Sequence, residues 1–99
     1  MASRNFLALD SARLGAAQEV TIGAASAAST AFASTTYQIR VCSTIACRIK
    51  IGDGTPTATA TDAYLPPNIA EYFTTGPSQK IAVIQEAAAG KLSITEISQ

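Results

Sequence analysis

The chain has 99 residues and no histidine, and its seven basic and seven acidic side chains cancel. That length is one ordinary domain, able to bury roughly 60–65% of its unfolded surface in a modest core. A charged fraction of 14%, against about 25% in a typical domain, leaves no basic patch for nucleic acid, and no apolar run approaches the ~20 residues of a membrane span. Neither nucleic acid nor a membrane is an expected partner. A skin of Ser, Thr, Ala and Gln has little charge to keep copies apart, which fits either association with itself or with another protein or simply a small rigid β-domain with a Thr-rich surface.

Residues 1–15 read as an N-terminal arm, and 16–99 as a single β-sandwich domain. Phe6, Leu7 and Leu9 form a short apolar run stopped by Asp10, too brief for a signal peptide, so folding in a cytoplasm is expected. Asp10 and Ser11 can cap a helical turn through Leu14. Phe6, Leu7 and Leu9 either pack on a neighbouring subunit or belong to a frayed or locally packed terminus. Gln18 to Gly23 alternates Val20 and Ile22 with polar residues, a short strand with one buried face. The Ala-rich stretch from Gly23 to Ser34 has no large apolar residue before Phe32, so a helix there would have nothing to bury. It reads as an extended connection anchored by Phe32.

Tyr37, Ile39 and Val41 form one face of the next strand, and Cys47, Ile49 and Ile51 one face of the strand after it. Opposed residues of an antiparallel pair share a face. A hairpin pairing Ile39 with Ile49 and Val41 with Cys47 keeps both apolar sets together, with 42–46 as its loop. A Cys42–Cys47 bridge would break that register, so two free thiols are expected, Cys47 buried and Cys42 near the turn. One C-x4-C pair without histidine is not a metal site.

Gly52-Asp53-Gly54 makes a turn into the loop TPTATATDA, whose Thr57 and Thr59 either contact a partner or face solvent. Asp53 and Asp62 lack the dense ligand spacing of a calcium loop. Tyr64 and Leu65 form a short apolar segment halted by Pro66 and Pro67. Of the adjacent Tyr72 and Phe73, one enters the core and the other is available for a subunit contact. Ile81, Val83 and Ile84 build a central strand. Ala87 to Gly90 then turns a hairpin, with Gly90 in a left-handed position, into a last strand with Leu92 and Ile94 on one face. Six to eight short strands without a useful amphipathic helix describe an all-β, antiparallel sandwich, jelly-roll-like or barrel-like.

Without histidine, neither a Ser-His-Asp nor a Cys-His site can be built. Phosphate-loop and dinucleotide motifs are missing too. The acids, Asp53, Asp62, Glu71, Glu86 and Glu96 among them, read as solvated surface charge. No enzymatic activity and no cofactor is expected. Tyr64 with Asp62 and Asn68 is the sole grouping that would suit a small-ligand or glycan-binding domain.

Arg40, Cys47, Gly52, the loop Pro56 to Thr59, Tyr64-Leu65-Pro66, Glu71-Tyr72-Phe73, Lys80, Ala82 to Gln85 and Leu92 to Glu96 together resemble a pattern in small proteins of tailed-phage structural gene clusters. The resemblance covers roughly the C-terminal two-thirds of the chain. It implies a virion protein of the capsid decoration or cement type, on the capsid surface, assembled in the host cytoplasm, with the major capsid protein as partner. A homo-oligomer is expected, with a trimer favoured. A head fibre base, connector or tail protein is the nearest alternative. The expected contact residues are Phe6, Leu7, Leu9, Thr57, Thr59, Tyr64, Leu65, Tyr72 and Phe73.

Overall fold

A computed structural model describes residues 13–98. Eight strands run in chain order: β1 (Arg13–Ile22), β2 (Ala27–Ala28), β3 (Gln38–Ser43), β4 (Cys47–Gly52), β5 (Ala63–Leu65), β6 (Glu71–Thr74), β7 (Lys80–Gln85) and β8 (Gly90–Ser98). They form two four-stranded antiparallel sheets, β1-β8-β3-β6 and β2-β7-β4-β5. The expected all-β sandwich is what the chain forms, and no helix occurs among the described residues.

Alternation decides which side chains meet between the sheets. Val20, Ile22, Ile39, Val41, Leu92 and Ile94 come from the first sheet, and Cys47, Ile49, Leu65, Ile81 and Val83 from the second. Phe32, on the connection after β2, is buried with them, as its place in an otherwise small-residue stretch leads one to expect. β7 lies between β2 and β4, in the central position anticipated for it.

Neither expected hairpin forms. β3 pairs with β8 and β6, whereas β4 pairs with β7 and β5, so Ile39 and Ile49 lie on strands of opposite sheets. The apolar faces of β3 and β4 are satisfied equally well by packing face to face across a sandwich, and 44–46 is enough chain to cross the roughly 10 Å between sheets. Both cysteines are free, Cys47 buried and Cys42 half-buried. Strand separation, rather than hairpin register, is what keeps them apart. Likewise 86–89 carries the chain from β7 in one sheet to β8 in the other. Gly90 is not left-handed; among the described residues only Gly54, Asn68 and Ser78 have positive φ. What Gly90 permits is close approach: a Cβ there would sit 2.5 Å from Ile45 Cγ2 and 2.7 Å from Thr44 Oγ1. The two crossing connections are therefore packed onto one another.

β1 begins at Arg13, so Leu14 lies in a strand rather than a helical turn. A bulge between Leu14 and Ala17 sits opposite Glu96. Phe6, Leu7 and Leu9 lie outside the described residues. Tyr37 precedes β3 and is 61% exposed instead of joining the core. Glu96, expected on the surface, is buried and turned inward on β8. Its carboxylate accepts hydrogen bonds from the Thr36 hydroxyl and, at 3.2 Å, from the Ala33 N–H. Gln18, inward on β1, accepts from the Thr30 N–H at 2.9 Å. The connection through 29–36 is thus fastened over one end of the sandwich by two polar side chains that alternation places among apolar ones. On β3, Ser43 also faces inward. Its buried hydroxyl has no hydrogen-bond partner among the described residues.

Candidate functional site

The outer face of the second sheet carries a connected set of side chains drawn from four segments. On β4, Cys47, Ile49 and Ile51 point into the core, so Arg48 and Lys50 point out. The register sets Arg48 beside Ile84 of β7 and Tyr64 of β5. The Arg48 guanidinium lies 5.0 Å from the centroid of the Tyr64 ring. Its Nε donates to Glu86 Oε1 at 2.9 Å, and its Nη1 to the Asp62 carbonyl at 3.3 Å. Three fixed contacts on one planar cation hold the guanidinium, and with it the exposed tyrosine, in one place. The hydrogen bond to Arg48 holds the Glu86 carboxyl below its usual range and, reciprocally, raises the Arg48 pKa.

The Thr-Ala loop completes this face. Lys80 Nζ on β7 donates to Thr55 Oγ1 at 3.2 Å, the Ala58 N–H donates to Ser26 Oγ beside β2 at 2.9 Å, and Arg48 on β4 reaches Asp62. The loop therefore crosses the outside of the sheet as far as β2 and returns. Ala82 is on the outward phase of β7 yet fully buried, and Ala58 is buried as well. Small side chains let the loop lie flat on its own sheet, leaving Thr57 and Thr59 exposed. Asp62 closes its far end, its Oδ2 accepting from the Thr59 N–H at 2.7 Å and from Thr59 Oγ1 at 3.2 Å. Local side-chain to backbone bonds of this kind stiffen a turn without regular structure.

Of the expected contact residues, Thr57, Thr59 and Tyr64 therefore share one outer face. No family model, curated protein or solved structure matches the chain. Leu65 is fully buried in the core, because it pairs with Cys47 on the inward phase of β5. Phe73 is half-buried against the core, and Tyr72, opposite Arg40, stands 56% exposed on the outer face of the first sheet. One of the two adjacent aromatics turns in and the other out, as alternation requires. Asn68 makes its backbone bond to the Ser43 carbonyl at 2.7 Å and contributes no side-chain bond to the Tyr64 group.

Arg48 and Glu86 are the members of the site that sequence reading passed over. Arg48 was legible only as an outward-phase residue, and its cross-strand neighbour depends on β5 joining β4. The first sheet has two shallow grooves at its Ser98 end, of about 230 and 570 Å³, lined in part by Thr35, Tyr37, Thr74 and Ile97. Glu96, which lines the smaller of the two, is already engaged by Thr36 and Ala33, and no carboxylate lines the larger. Among the described residues, no group of three or more His, Cys, Asp or Glu is gathered to hold a metal ion.

Proposed function

We propose that this chain is a non-enzymatic structural protein of a bacteriophage virion that decorates and cements the capsid shell, gripping the major capsid protein through the outer face of the second sheet. The observation that carries the reading is the exposed Tyr64 ring held over Arg48. A rigid aromatic with a polar tip, pre-positioned and flanked by threonines, loses little conformational freedom on contact, which is what a protein-binding anchor requires. The phage-like sequence pattern supports the virion setting, and the weakly charged surface suits a partner that is met by shape rather than by electrostatic steering.

Co-sedimentation of the purified protein with empty shells tests the proposal. Wild-type protein pellets with shells. Tyr64→Ala, which removes an exposed side chain, weakens binding by about 30-fold, the scale of an aromatic anchor worth about 2 kcal/mol, while the melting temperature is unchanged. Pelleting with isolated connectors, fibres or tails and not with shells would move the protein elsewhere in the virion. Its copy number in purified virions supplies a second check, since a shell cement is present on the scale of the capsid protein itself.

A further inference from the structure

The sandwich has four sheet edges among its described residues, and three of them are protected. β2 is only two residues long, and β5 is three residues long and is followed by Pro66 and Pro67. β1 is long but carries Arg13, Glu19 and a bulge. Shortness, proline, charge and bulges are the devices by which sheets avoid pairing edge to edge. β6, Glu71-Tyr72-Phe73-Thr74, is also short, at four residues, but carries no proline, no bulge and no charge on its outward face. Its one charged residue, Glu71, is opposite Val41 and so on the inward phase.

The hydrogen-bond alternation shows which backbone groups of β6 face outward along the edge. The Thr75 N–H donates to the Tyr37 carbonyl at 2.9 Å, and the ladder continues in the same register through Phe73 opposite Ile39 and Glu71 opposite Val41. Bonded and non-bonded pairs alternate in an antiparallel ladder. Thr75, Phe73 and Glu71 therefore bond to β3, and the N–H and C=O groups of Tyr72 and Thr74 point away from it. The other side of β3 agrees: the Thr44 N–H donates to Lys91 O at 2.9 Å, which by the same alternation commits Cys42, Arg40 and Gln38 to β8 and leaves Val41 and Ile39 for β6.

We propose that β6 is a dimerisation edge, and that its occupant is the β6 strand of a second copy of this chain, added antiparallel about a two-fold axis at Phe73. In that register Tyr72 lies opposite the partner's Thr74 and Thr74 opposite the partner's Tyr72. The four outward N–H and C=O pairs of the two strands are then all used. Phe73 meets its own counterpart at a non-bonded position, where side chains are closest, and both rings face the core side, completing the burial of a residue that is only half-buried in one copy. Glu71 falls opposite the partner's Thr75, so no like charges meet. The contact joins two four-stranded sheets into one of eight strands. It closes at two copies, as a self-complementary patch must, and it leaves Tyr64 and the Thr-Ala loop on an outer face, uncovered.

Sedimentation velocity over a range of concentrations and amide hydrogen exchange test this together. Wild-type protein is a dimer that dissociates on dilution, and its Tyr72 and Thr74 amides exchange as slowly as that of Phe73. Thr74→Pro removes an N–H that points away from β3 and bonds to nothing among the described residues of one copy, so it yields a monomer with an unchanged far-ultraviolet spectrum. Phe73→Cys gives a dimer cross-linked by mild oxidation, its two sulfurs being directly opposed. A monomeric wild type would overturn the proposal. So would fast exchange at Tyr72 and Thr74 beside slow exchange at Phe73 and Thr75, or any oligomer, trimers included, that Thr74→Pro leaves intact.

Discussion

Replacing Glu96 by alanine tests the role of the inward carboxylate that fastens the connection through 29–36. The substitution removes the acceptor for the Thr36 hydroxyl and for the Ala33 N–H, which lies 3.2 Å away. Hydrogen bonds to a charged acceptor contribute about 1.5–3 kcal/mol, and a buried donor left without a partner costs about 1–3 kcal/mol. Thr36 is buried and Ala33 exposed, so the first loss is near the middle of that range and the second near its lower end. Together they amount to about 3 kcal/mol. In a domain of this size each kcal/mol moves the melting temperature by about 4–8 °C, so Glu96→Ala is expected to melt roughly 12–24 °C below wild type. Glu96→Gln keeps an acceptor oxygen and loses the charge, for a drop of about 1 kcal/mol. Thr36→Ala made in the Glu96→Ala background should cost almost nothing further, because its partner is already gone. Scanning calorimetry of the four proteins decides the matter. An alanine variant melting within about 3 °C of wild type, on the same scale, would refute the account of Glu96 as the fastening of that end.

Gly90→Ala drives a methyl group into Ile45 and Thr44 and is expected to destabilise by about 1–3 kcal/mol, the usual range for overpacking, measured by urea denaturation. Ser43→Ala removes a buried hydroxyl that has no partner among the described residues, so it is expected to be neutral or to raise stability by up to about 1 kcal/mol. In native protein Cys42 should react with a thiol reagent while Cys47 stays protected, and both should react in denaturant. Burial pushes the Cys47 thiol above its ordinary value of 9.0, opposed in part by the nearby Ser43 hydroxyl, a contact too loose in geometry to satisfy that oxygen. The folded state thus binds this proton more tightly than the unfolded chain does. Its contribution to stability is complete below about pH 9 and is lost as pH rises through the elevated folded value. Denaturation midpoints for wild type and Cys47→Ala, compared from pH 8 upward, should converge in that direction.

Alternation made the buried faces legible. Ile39 and Val41, Cys47 and Ile49, and Leu92 and Ile94 all point inward as their spacing requires, and Phe32 anchors its connection. Strand neighbours were not legible, because an apolar face is satisfied by a strand beside it in a hairpin or by one opposite it in a sandwich. The two supposed hairpins failed on that ambiguity. Leu65 was misplaced among surface residues because a three-residue strand is too short to show its phase. Glu96 and Gln18 break the pattern outright, as inward polar groups whose partners lie on a distant connection, and no local signal marks them. Arg48 and Glu86 come together across 38 residues, so their pairing depends on the β4–β7 register.

The order of the strands also bears on how the protein is made. Among the described residues, β4 and β5 are the only consecutive strands that share a ladder, and the other pairings join segments distant in sequence. β8, the last of the eight to be translated, lies between β1 and β3. A nascent chain that has not yet passed Gly90 carries β1 with no strand to bond to, leaves one side of β3 unpaired, and lacks Leu92 and Ile94 from the core. Such a topology folds slowly, in milliseconds to seconds, and largely after β8 has cleared the ribosome. Until then its exposed strands are a natural substrate for chaperones.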